Sequence, residues 1–132
     1  MEIINQEKNL TLMGAQVKNF PAGVQEGFDS LMKEFGKNRG YYGISWCEKD
    51  NTITYFAMTP ETRPGESRER KFETFSIEKG QYKSEPVHNW RTQLNCIKDT
   101  FHELMGDKLP TKSDPCIEWY KSDEEMICMI KA

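Results

Sequence analysis

A chain of 132 residues can bury roughly two thirds of its unfolded surface in a single domain, so it needs no disulfide or metal staple. Its net charge of −3 and isoelectric point near 5.5 give no electrostatic footprint for nucleic acid or anionic lipid. With no long apolar run and no signal-like N-terminus, the expectation is a cytoplasmic protein with no direct nucleic-acid or membrane partner.

Residues 10–17 alternate imperfectly and stop at Asn19-Phe20-Pro21, which predicts a strand and then a break. A helix beginning near Ala22 places Val24, Phe28, Leu31, Met32 and Phe35 on one stripe, with Gly36 as its stop. Residues 41–47 and 52–58 are rich in aromatic and β-branched side chains around Glu48-Lys49-Asp50-Asn51, the pattern of a hairpin. Residues 61–70 are polar apart from a proline and a glycine and read as a solvated linker. Residues 72–78 predict another strand. A second helix is expected to open around Ser84-Glu85-Pro86, where serine can cap and proline is tolerated in the first turn. Its stripe is Trp90, Leu94, Ile97, Phe101, Leu104 and Met105, ended by Gly106. Residues 116–120 and 126–131 then flank a polar turn as a second hairpin.

The two helix-hairpin units share a register. Val24, Phe28, Leu31, Met32, Ile44 and Trp46 return 73 residues later as Ile97, Phe101, Leu104, Met105, Ile117 and Trp119, and Asp50 returns as Asp123. Such a constant offset points to an internal repeat, with repeat one over about residues 8–60, a linker over 61–70 and repeat two over 71–132. Two strand-helix-strand-strand units related by a pseudo-twofold predict an α+β fold. It consists of a curved, mostly antiparallel sheet with two helices on one face and a ligand cleft on the other. Where the repeats match best they also differ most sharply: Ser45 in one corresponds to Glu118 in the other.

Alternate strand residues face opposite ways. If Ile117 and Trp119 pack against the helices, Glu118 and Tyr120 face the cleft and line its main pocket, and Ser45 and Cys47 do the same from repeat one. A carboxylate among aromatic and thioether groups can pair with an organic cation whose body stacks on Tyr120, or it can move a proton. The plainer alternative places Glu118 on a solvated face beside a lysine. Trp90, Phe56, Met58 and Met129 are further candidates for the pocket walls, since flexible thioethers suit an adaptable site, although filling a core is the commoner role for tryptophan and methionine. Cys47, Cys96, Cys116 and Cys128 form no CxxC or CxxH pattern, and His88 and His102 lie far apart in sequence. Buried reduced thiols are therefore expected, with neither a metal site nor a cofactor.

The string Asp114-Pro115-Cys116-Ile117-Glu118-Trp119-Tyr120 resembles the Pro-x-Ile-Glu-x-Tyr strand of GyrI-like domains, which also serve as effector-binding domains of AraC-type and MerR-type transcription activators. The resemblance implies a duplicated fold with a ligand cleft between repeats and the motif glutamate, Glu118, at its centre with Tyr120. It implies a stand-alone binder of an amphipathic, cationic or aromatic small molecule. Two alternatives carried by the same resemblance are a small-molecule hydrolase, with Glu118 as general acid/base and Tyr120 orienting the substrate, and a protein-interaction module of the gyrase-inhibitor type. The chain departs from the family pattern in having no fused helix-turn-helix and in its terminal strand Met126-Ile127-Cys128-Met129-Ile130.

Overall fold

The computed structural model describes residues 1–92 and 94–132, with the side chains of Leu94 and Asn95 left out; the expected place of Leu94 in the apolar stripe therefore lies outside the described residues. The strands are β1 (Glu2–Gln6), β2 (Leu10–Gln16), β3 (Tyr41–Cys47), β4 (Ile53–Pro60), β5 (Glu73–Ile77), β6 (Gly80–His88), β7 (Cys116–Tyr120) and β8 (Glu125–Lys131). They form one antiparallel sheet in the order β1-β6-β8-β7-β3-β4-β2-β5, curled into a half-barrel. Two helices of twelve residues, α1 (Val24–Phe35) and α3 (Leu94–Met105), pack on one face, and α2 (Glu66–Glu69) is a single turn. No helix among the described residues is long and apolar enough to cross a membrane.

Helix α1 ends where glycine is required. Gly36 has φ of 84°, a region open chiefly to glycine, and its N–H closes the helix on Met32 O at 2.8 Å. The apolar stripes pack as anticipated, Phe28 and Leu31 on one helix and Phe101, Leu104 and Met105 on the other being buried. At the centre of the sheet Ile44 lies opposite Ile117, and Ile44 pairs with Phe56 just as Ile117 pairs with Met129, each residue of the second pair falling 73 positions after its counterpart. The outer strands are exchanged. β1 pairs with β6 and β5 with β2, so each half of the chain completes the sheet of the other, and Asn9 Oδ1 accepts a hydrogen bond from Lys79 N–H at 2.7 Å where the two connections meet.

Several expectations are corrected. Residues 84–86 belong to β6, and the second helix begins only at Leu94, after the 3-10 turn Trp90–Thr92. Pro86 is tolerated in this strand because β1 stops pairing at Ser84, which leaves the rest of β6 on an edge where a missing N–H costs little. The polar stretch at residues 61–70 is not a fully solvated linker. Glu66 and Ser67 are buried, and Arg39 Nη2 reaches Glu66 Oε1 at 2.5 Å. The thiols also differ from expectation, since only Cys116 and Cys128 are buried, Cys47 is half-buried and Cys96 is exposed.

The largest correction concerns which face is which. The helix side of the sheet holds Tyr41, Tyr55 and Ala57 against Phe28 and Leu31, and Cys116, Met126, Cys128 and Ile130 against Phe101, Leu104 and Met105; Tyr120 packs into both groups. Ile117 and Trp119 sit on the opposite, inner face with Ile44, Trp46, Phe56, Met58 and Met129. The curl of the sheet, which brings Ile77 of β5 and Tyr82 of β6 onto the central strands, gives this inner face a core of its own, so Ile117 and Trp119 find apolar neighbours without a helix.

Candidate functional site

Strand alternation and pairing build the site. In β7, Glu118 and Tyr120 share the face occupied by α1 and α3, flanked by Gly43 of β3 on one side and Cys128 of β8 on the other. Tyr55 of β4 reaches across β3 to the same point because Gly43 has no side chain to stop it. A methyl group at Gly43 would stand 2.0 Å from Tyr55 Oη and 2.6 Å from Glu118 Oε1. The vacant position admits a compact triad in which Tyr55 Oη and Tyr120 Oη each donate to Glu118 Oε1 at 2.6 Å, the two hydroxyls lying 3.3 Å apart.

Aromatic rings surround the triad. Tyr120 meets Phe28 edge-on at 5.0 Å between centroids and Trp90 at 4.9 Å, and Phe20 stacks on Tyr55 at 5.3 Å. Phe20 is 38% exposed, and part of Glu118 itself remains open to solvent. Burial pushes the Glu118 carboxyl above its usual range, and the two phenol hydrogen bonds pull it back only in part. The same burial, with Glu118 beside them, drives both tyrosines well above theirs, so they stay protonated as donors. Cys116, also desolvated, is pushed up to about 12, and Cys128 higher still; neither is a ready thiolate. No charged group of the described residues pairs with Glu118, so the lysine-paired alternative does not apply.

The residues proposed from sequence divide between the two faces. Glu118, Tyr120 and Trp90 come together, and Ser45, opposite both Tyr55 and Cys116, lies beside them on the same face, with Cys47 further along the strand. Phe56, Met58 and Met129 lie on the inner face, away from the carboxylate. Two cavities, of about 300 and 340 Å³, open on the inner face and beside α1, and Glu118 and Tyr120 line neither. The triad is instead roofed by Phe20, Phe28 and Trp90. Sequence reasoning missed Tyr55, Gly43, Phe28 and Phe20 as site residues. Gly43 was the available signal, because a glycine inside an aromatic strand marks a close approach.

No family model matches the sequence, and no curated protein does. The fold is nonetheless shared with solved structures over nearly the whole chain. One is SAV2435 bound to tetraphenylphosphonium, at TM-score 0.59 and 16% identity, covering 100% of this chain and 95% of that one. Another is a Staphylococcus aureus protein assigned to bacterial transcription regulation, at TM-score 0.54 and 17% identity, covering 100% and 99%. A hydrolase from Listeria innocua aligns at TM-score 0.56 and 16% identity, covering 98% and 89%. At these identities the likeness establishes the fold.

Proposed function

We propose that this protein binds an amphipathic organic cation between α1 and α3, with the positive charge on Glu118 and the apolar body among Tyr55, Tyr120, Phe28 and Trp90. The observation that carries this reading is a desolvated carboxylate held by two neutral donors, with no cation paired to it among the described residues. A ligand that brings the missing charge, and aromatic or aliphatic surface with it, gains ion pairing and cation–π attraction together. The shared fold with a protein solved in complex with tetraphenylphosphonium supports the ligand class. Entry displaces Phe20, the exposed ring of the roof.

Calorimetry with tetraphenylphosphonium tests the proposal. Glu118→Gln should weaken binding by about 2–5 kcal/mol, as when one partner of a buried charge pair is removed, and should leave the weak binding of neutral triphenylphosphine oxide unchanged. Equal affinity of both variants for the cation would refute it. A second reading, hydrolysis with Glu118 as general base, is favoured by the raised carboxyl pKa beside two hydroxyls and by a fold shared with a hydrolase. Under that reading Glu118→Gln keeps substrate binding and lowers turnover by about 10²–10⁴-fold.

A further inference from the structure

The inner face of the sheet carries a separate aromatic recess. Trp46 and Phe56 stack at 5.7 Å and 22°, forming one wall of the cavity of about 300 Å³, to which Phe75 and Met58 also contribute. At its rim Glu48 is held in place: Trp46 Nε1 donates to Glu48 Oε1 at 2.6 Å and Thr54 Oγ1 donates to the same oxygen at 2.7 Å. Both bonds fall on Oε1, and no bond to Oε2 occurs among the described residues. Glu48 is exposed and lines the same cavity.

The other half of the same face shows what is absent here. Trp119, 73 residues after Trp46, stacks on Tyr42 at 6.2 Å, and Lys121 Nζ lies 5.8 Å from its ring centre. The residue 73 positions before Lys121 is Glu48. Trp119 therefore has a cation supplied by the chain, whereas Trp46 has a carboxylate at the equivalent place and no cation over its ring among the described residues. The cavity rim also carries Glu73 and Lys112, so its acidic side chains outnumber its basic one.

We infer that this recess is a second small-molecule site, taking a flat aromatic amine with its ring along the Trp46–Phe56 wall and its ammonium group on Glu48. Tryptamine is the probe, titrated into the full chain while the indole N–H resonances of Trp46, Trp90 and Trp119 are followed by NMR. The expected result is a saturable shift of the Trp46 resonance, about fivefold weaker binding in Glu48→Gln, the scale of one exposed charge pair, and weaker binding of indole-3-acetate. Because the recess and Glu118 lie on opposite faces, Glu118→Gln should leave the Trp46 titration unchanged whether or not the cation reading of Glu118 survives. The inference is overturned if Trp46 shows no saturable shift, if Glu48→Gln has no effect, if indole-3-acetate binds as tightly as tryptamine, or if the response disappears in Glu118→Gln.

Discussion

Glu66, buried, and Glu118, half-buried, sit in opposite electrostatic settings. Glu66 lies within the connection between the halves with Arg39 at 2.5 Å and with the Thr62 N–H at 2.9 Å, and these partners hold its carboxyl down to about 2. Among the described residues Glu118 has only phenol hydroxyls as partners, and its carboxyl is pushed up. A buried charge satisfied within the chain serves the fold; one left short of a counterion costs stability and remains open to a ligand. The position of an arginine, rather than burial alone, separates the structural carboxylate from the candidate functional one.

The comparison can be broken most severely at Gly43. Gly43→Ala places a methyl group inside contact distance of both Tyr55 Oη and Glu118 Oε1, so a loss of about 4 kcal/mol in denaturant unfolding is expected from overpacking and a broken charged hydrogen bond. A loss below about 1 kcal/mol would mean that the triad is not closely packed. Next in size is Arg39→Ala, which removes the closer cation from Glu66 and leaves Arg70 Nε at 3.8 Å, and which should cost about 3 kcal/mol by the same measurement. The corresponding removal of a partner from Glu118, Tyr55→Phe, should cost less, about 1–2 kcal/mol.

The pH dependence separates the two sites by sign. Glu66, with a folded value of about 2 against an ordinary 4.5, contributes stability that is complete above about pH 4.5 and is lost as the pH falls towards 2. Urea unfolding of the wild type should weaken across that window, and Glu66→Gln should flatten the curve there. Glu118, raised in the folded protein, runs the other way: its contribution is favourable below its unfolded value and is lost as the pH rises through its folded one. The smallest expected effect follows from this. At neutral pH Glu118→Gln should stabilise the unliganded protein, on the order of 1 kcal/mol, while weakening cation binding; a destabilised variant would show that the carboxylate is satisfied structurally.

Sequence reading reached the helix stripes and both hairpins because each depends on local periodicity. Phe28 and Phe101 hold the same place on their helices whatever lies beyond them. The face of Glu118 was not legible, since strand alternation fixes only that Glu118 and Trp119 point opposite ways. Both faces of this sheet are apolar, and the curl that fills the inner one arises from strands distant in sequence. Glu66 was hidden for a related reason: residues 61–70 carry the composition of a solvated loop, and its closest cation is Arg39, 27 positions earlier. The strand Gly80–His88 defeated the capping argument at Ser84 because its neighbour β8 lies at the far end of the chain.

The crossing of the first and fifth strands bears on how the molecule assembles. Ser84 Oγ bonds to Glu2 O across 82 residues of sequence, and β2 acquires its outer neighbour only after β5 has been synthesised. Neither half can close its sheet from its own strands, so the late steps of folding are long-range closures and the reaction should be slow for a chain of this size. The same interlock implies that a single backbone cut near Arg63 would leave two fragments clasped through each other's edges, recovering together after dilution from denaturant and neither folding alone.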